Sequence, residues 1–119
     1  MKRKSAIIPY RFREEQLEIL LIRNFSDTKW VSPKGTIEFP LPPYISATKE
    51  AYEEAGVLGR PHPIMIGTYY KNQQWVPTYL LEVDVELEHY EEEEFRKRTW
   101  VPADQLSEWI VEIDLIKIL

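Results

Sequence analysis

A layered α+β or α/β domain is predicted for this 119-residue chain by three features. Strand-like apolar runs lie on both sides of one well-marked helix. That helix carries Ala47, Ala51 and Ala55, a stripe of small residues every fourth position that lets it sit close to a sheet. A second helical stretch closes the chain.

The length amounts to one domain, residues 1–119. A chain of this size buries roughly 65% of its unfolded surface, enough for a core without staples. With no cysteine, disulfides and thiolate metal sites are excluded. A hydrophobic share of 44% beside 29% charged residues argues against disorder. No apolar run approaches a membrane span. The basic opening Met1-Lys2-Arg3-Lys4 is followed only by Ala6-Ile7-Ile8 before Pro9, too short for a signal-peptide core. The expected location is the cytoplasm, with no membrane partner. A net charge of −5 lacks the footprint for duplex nucleic acid, and an acidic protein that handles phosphates needs metal cations to help it.

Residues 4–13 and 17–25 read as two strands joined by a turn at Glu14-Glu15-Gln16. The run Leu17 to Ile22 is nearly all apolar, as expected of a strand covered on both faces. Trp30-Val31 reads as a short strand ending before Ser32-Pro33-Lys34-Gly35, and residues 36–43 as a loop with three prolines. A helix spans about residues 43–55. Pro43 suits its first turn and Gly56 the left-handed position past its end. Residues 62–71 and 75–87 read as a β-hairpin about Asn72-Gln73-Gln74. Glu82, Asp84, Glu86 and Glu88 alternate with apolar residues, which predicts one solvated acidic face. Glu91 to Glu94 reads as a loop, Arg96 to Val101 as a strand, and residues 103–119 as one or two helices. The apolar stretch from Trp109 to Leu119 either closes over the domain's own sheet or joins a partner, so a monomer or a homodimer is expected.

Glu50, Glu53 and Glu54 stand at i, i+3 and i+4, on one face of the helix and opposite the alanine stripe. Like charges at these spacings destabilise an isolated helix by roughly 0.2–0.5 kcal/mol per pair. Water at an exposed face or a hard cation would offset that, and Mg²⁺ takes such oxygen ligands. Taken alone, the cluster favours the exposed face, because glutamate is a strong helix former.

The stretch from Gly35 to Val57 changes that weighting. It resembles the Nudix box, Gly-x5-Glu-x7-Arg-Glu-U-x-Glu-Glu-x-Gly-U, where U is a bulky aliphatic residue. Gly35, Glu50, Glu53, Glu54, Gly56 and Val57 fall in register. Ala51 occupies a U position, Leu41 replaces the first box glutamate and Lys49 replaces the box arginine. In the family that arginine orients a catalytic glutamate. Lys49 keeps the charge but loses the bidentate fork, and Leu41 carries neither charge nor metal. Glu38 is a candidate to cover part of the lost role.

The resemblance implies a Nudix-type α/β/α sandwich with a mixed sheet, a catalytic helix at residues 43–55 and a C-terminal helix. It implies hydrolysis of a nucleoside diphosphate linked to another group, with Mg²⁺ or Mn²⁺ as cofactor and a small phosphoanhydride as substrate. Carried over residue by residue, Glu50, Glu53, Glu54 and the Gly35 carbonyl are the metal ligands, and Glu53 or Glu54 is the base. The Trp-Val-x-Pro-Lys-Gly and Lys-Glu-Ala-x-Glu-Glu runs resemble members acting on dinucleoside polyphosphates or inositol pyrophosphates. Lys34, Arg98 and, on the same strand face, Arg96 are candidate phosphate contacts, with an ion pair to the acidic run at least as strong an expectation for the two arginines. Among Trp30, Tyr69, Tyr70 and Trp75, the candidates to stack on a base are Tyr70 and Trp75. An extra carboxylate from Glu91 to Glu94 ranks below a solvated charge run. His62 and His89 match no metal spacing. The alternative reading is a binding or regulatory module with a degraded site, motivated by Leu41 and Lys49.

Overall fold

The computed structural model describes residues 2–119; Met1, which precedes the basic residues Lys2, Arg3 and Lys4, lies outside the described residues. Strand β1 (Lys4–Arg13) is the hub. It pairs antiparallel with β2 (Gln16–Asn24) through a two-residue turn in which Glu14 and Glu15 both take positive φ. Strand β3 (Lys34–Thr36) lies antiparallel on the start of β1. Helix α1 (Pro43–Ala55) leads into β4 (Val57–Pro61), and β5 (Gly67–Lys71) turns at Asn72-Gln73 into β6 (Gln74–Glu86). Strand β6 runs parallel to β1, and β7 (Arg96–Pro102) closes the far edge against β2. The described strands thus form one mixed sheet in the order β4-β6-β1-β2-β7, with β3 on β1 and β5 on β6.

Residue alternation divides the core. Ile7, Leu20, Ile22, Tyr79 and Leu81 face α1 and meet Ala47, Ala51 and Ala55, each fully buried. Ile8, Ile19, Leu21 and Val101 face the other way, against Leu106, Val111 and Leu115 of the C-terminal segment. The apolar run in β2 is therefore covered on both faces, as expected. That second cover is a 3-10 helix (Ala103–Glu108), an extended stretch and a short α2 (Ile113–Ile118). The layered architecture and the helix at 43–55 match the sequence expectation.

Three boundaries differ. Trp30 and Val31 make isolated bridges to Val111 and Ile22 and form no strand. Pro33 follows, lacking an N–H, and its carbonyl accepts instead from Ile7 N–H at 3.0 Å. The regular pairing falls on Lys34–Thr36. The hairpin arm is shorter than residues 62–71, beginning at Gly67, because β4 already pairs with β6 as far as Pro61 and Pro63, lacking an N–H, follows it. The long β6 strand uses its remaining half to pair with β4, which sequence patterning did not separate. The acidic face of β6 is also partly neutralised: Arg60 pairs with Glu82 and Asp84, both at 3.1 Å.

Helix α1 is fixed at both ends. Buried Ser5 donates its hydroxyl to the Pro43 carbonyl at 2.8 Å. Gly56 takes φ +69° and donates its N–H to Tyr52 O at 3.0 Å. A Cβ at Gly56 would stand 2.7 Å from Tyr90 Cβ and 2.8 Å from an Arg98 nitrogen. Gly56→Ala is therefore expected to destabilise the protein by about 1–3 kcal/mol, from left-handed strain and crowding together. Urea unfolding of the two proteins checks this; equal midpoints would contradict it.

Candidate active site

The alanine stripe brings α1 so close to the sheet that one flanking carboxylate is carried inside. Glu54 follows Ala51 by three positions, only about 60° around a 3.6-residue helix. It is buried, 5% exposed, which corrects the expectation that all three glutamates lie opposite the stripe. One Glu54 oxygen accepts the Lys34 main-chain N–H at 3.1 Å, and the other faces Arg96 Nη2 at 3.2 Å. Burial still dominates and pushes its carboxyl up to about 7, against the lowering by Arg96 and the Lys34 amide.

Glu50 lies over Gly35. A Cβ there would overlap the Glu50 carboxyl, so the glycine opens the space this side chain occupies. Burial first, then repulsion from Glu53, Glu92 and Glu38, raises the Glu50 carboxyl to about 7. Glu53 is half-buried, and burial together with Glu91 raises it as well. Among the described residues, no three His, Asp or Glu side chains stand at the spacing of a held ion. The donor chemistry nevertheless fits a hard divalent cation: carboxylates that repel one another, partly stripped of water, beside a glycine main chain.

The loop after β6 reaches this face. Glu92 N–H donates to Glu53 O at 3.1 Å, and the Glu92 carboxylate accepts from Arg96 Nε at 2.7 Å. Arg96 thereby spans Glu54 and Glu92. Of the run Glu91 to Glu94, Glu92 alone is half-buried, so the expected solvated charge run holds for its neighbours and not for it. Lys49 Nζ reaches both oxygens of Glu38, at 3.1 and 2.8 Å. Glu38 is itself placed by its N–H on the buried Ser46 hydroxyl at 2.9 Å.

Beside the acidic face opens a cleft of about 530 Å³ whose lining includes Arg23, Lys29, Lys34, Lys71 and Arg96, against Asp27 and Glu112. Five basic side chains against two acidic ones reverse the sign of a chain that is −5 overall. Such a cleft concentrates anions. Lys34 and Arg96 belong to both regions, binding Glu54 on one side and lining the cleft on the other.

The other sequence candidates fall elsewhere. Arg98 donates to Ala55 O at 2.7 Å and to Leu87 O, and stands 3.4 Å from Glu86. It secures the end of α1, so its expected phosphate contact is replaced by a structural one. Tyr70 and Trp75 are a cross-strand, edge-to-face pair with ring centres 5.3 Å apart, and neither lines the cleft. Strand alternation explains this: Tyr69 and Lys71 share the inward face and Tyr70 the outward one. Trp30 packs on Trp109 at 5.5 Å beneath Arg23. Lys71 and Glu112 carried no functional signal in the sequence.

The NUDIX domain family pattern matches residues 1–118. The chain is 29% identical to human diphosphoinositol polyphosphate phosphohydrolase 3-alpha, over 99% of itself and 69% of that protein. It is 31% identical to rat diphosphoinositol polyphosphate phosphohydrolase 2, over 99% of itself and 63% of that protein. Its fold resembles a binary complex of a C. elegans Ap4A hydrolase, with TM-score 0.74, 19% identity, and 98% and 92% of the two chains covered. It also resembles the NUDIX domain of Shewanella oneidensis NrtR complexed with ADP ribose, with TM-score 0.70, 13% identity, and 99% and 85% covered.

The raised carboxyls set a sign for stability. Glu50 and Glu54 bind protons more tightly in the folded than in the unfolded chain, so their contribution is full below about pH 4.5 and is lost as pH rises through about 7. In EDTA, wild type is expected to lose more urea stability between pH 5 and 8 than Glu50→Gln does. Identical losses would contradict the burial of that charge. Sequence pattern, fold and the position of the glutamate-bearing helix agree, and the chain belongs to the Nudix family as a Nudix-type hydrolase.

Proposed function

We propose that the protein is a metal-dependent pyrophosphohydrolase that cleaves a diphosphate linkage in a nucleoside diphosphate derivative, a dinucleoside polyphosphate or a similar substrate. One observation carries this reading: an acidic helix face and a basic cleft meet edge to edge, joined by Lys34 and Arg96. The names of the relatives, phosphohydrolases of diphosphoinositol polyphosphates and an Ap4A hydrolase, support a substrate rich in phosphate.

Glu50, Glu53, Glu54 and the Gly35 carbonyl would hold Mg²⁺ or Mn²⁺. When bound, such an ion supplies charge neutralisation on phosphoryl oxygens and a more acidic water. The cleft cations hold the phosphates of the substrate. Glu53 is the more accessible carboxylate, free of the Arg96 and Lys34 bonds that tie Glu54, and is suited to accept a proton from water. Glu54 fixes the seam between α1, Lys34 and Arg96 and shares the charge of the site. Groups coupled this closely titrate together, so the proton belongs to the set.

Lys49, at the box arginine position, pairs with Glu38, which supports the expectation that Glu38 covers part of the role Leu41 cannot fill. This pair favours a working site over the alternative of a degraded one.

Glu53→Gln is the cleaner test, since Glu54→Gln also removes the charge that pairs with Arg96 at the helix–sheet seam. Glu53→Gln is expected to lower kcat by about 10²–10⁴-fold while circular dichroism and melting stay unchanged. The assay is phosphate release with Mg²⁺ or Mn²⁺ over a panel of nucleotides, dinucleoside polyphosphates and inositol pyrophosphates. Wild-type turnover in the variant contradicts the assignment. A flat baseline for wild type across the whole panel contradicts the hydrolase reading.

A further inference from the structure

Glu112 stands between two lysines at the wall of the cleft. Its carboxylate accepts from Lys71 Nζ and lies 3.6 Å from Lys34 Nζ. The residue is buried, 8% exposed, and its position is fixed twice over. Its N–H donates to Trp30 O at 3.0 Å, and the preceding Val111 bridges Trp30. The helix that follows seats Ile118 against Gly67 and the cluster of Ala6, Tyr69 and Val76, on the sheet that carries Lys71. Both ammonium groups line the cleft with Arg23, Lys29 and Arg96.

An ion pair formed only for stability needs one cation per carboxylate. Here two share one, leaving the trio net positive at the wall of an open, mostly basic cleft. Each ammonium has three donors, and the carboxylate does not satisfy them all. Two lysines brought together without a ligand repel, and Glu112 offsets that repulsion only in part. A phosphoryl group, with several anionic oxygens, supplies the missing charge and acceptors. Lys34 also gives its main-chain N–H to Glu54, so this pair adjoins the acidic helix face.

We propose that Lys34 and Lys71, positioned by Glu112, form a phosphate subsite beyond the cleaved linkage. It selects substrates that carry a further phosphoryl group beyond the cleaved diphosphate over diphosphates with no such group. The selectivity rests on the hydrolase reading; the subsite itself is testable without it. Lys71 and Lys34 are binding residues, and Glu112 is a positioning residue.

The test is titration calorimetry of the full chain with inorganic tripolyphosphate in EDTA, followed by kinetics with metal. Wild type is expected to bind, and Lys71→Met to bind about tenfold more weakly, the loss of one charge-assisted contact. Lys97→Met, at an exposed lysine that does not line the cleft, removes the same charge and is expected to bind like wild type. Glu112→Gln is expected to weaken binding as Lys71→Met does, because the two ammonium groups are no longer held. With a hydrolysed polyphosphate substrate, Lys71→Met should raise KM and leave kcat unchanged, a split that loss of folding would not produce. Equal binding by wild type and Lys71→Met overturns the subsite, even if hydrolysis is normal. Equal weakening by Lys97→Met reduces the effect to net charge and overturns it too. Tighter binding by Glu112→Gln makes Glu112 a competitor for the lysines and overturns its positioning role. Lysine-dependent binding in a chain that hydrolyses nothing supports the subsite while the hydrolase reading fails.

Discussion

The burial of Glu54 at the seam between α1 and the sheet is the constraint around which the site is arranged. Three alanines allow the helix to approach closely, and the residue beside that stripe has nowhere else to go. A carboxylate with little water needs donors, and two arrive from different strands: the Lys34 amide from β3 and the Arg96 guanidinium from β7. Removing the Arg96 guanidinium would leave this buried carboxyl with the Lys34 amide and no opposite charge, which costs far more than an exposed pair contributes. Helix, sheet and loop are thus tied at one carboxyl.

The same packing sets the chemistry. Glu50 is pressed over Gly35 and near Glu53 and Glu92, so its charge is resisted from several directions. The protein carries this local conflict in a chain that is already acidic. On the other side of Arg96 and Lys34 the sign reverses, and the cleft is basic. Phosphoryl transfer asks for this division, with cations to receive phosphate and carboxylates to handle water and metal. The Glu38–Lys49 pair extends the arrangement at the open end of the helix, where Leu41 cannot serve.

Much of this was legible in residue order. The alanine spacing, Gly56 past the helix end and the double-sided apolar run of β2 each express one local rule, and the fold obeys them. Spacing alone also grouped Glu50, Glu53 and Glu54. What it missed depended on contacts between distant segments. Glu54 lies inside because of a sheet that helical periodicity does not describe. Arg98 has the same charge as Arg96 and lies two residues away, yet it secures the end of α1, while Arg96 meets Glu54 and Glu92. Tyr70 and Lys71 are neighbours on β5, and strand alternation turns Lys71 to the cleft and Tyr70 away from it. Glu112 meets Lys71 across 41 positions of sequence, with no pattern to announce it.

Glu50, Glu53, Glu54 and Glu92 crowd more negative charge onto this face than Arg96 offsets, and a divalent ion would supply the balance. Proton release on ion binding measures it most directly. Mn²⁺ titration calorimetry near pH 6.5, repeated in buffers of different ionisation enthalpy, should show binding with release of about one proton or more per protein, since Glu50 and Glu54 hold protons up to about pH 7. Heat that does not vary with buffer, or no binding at all, would contradict the account.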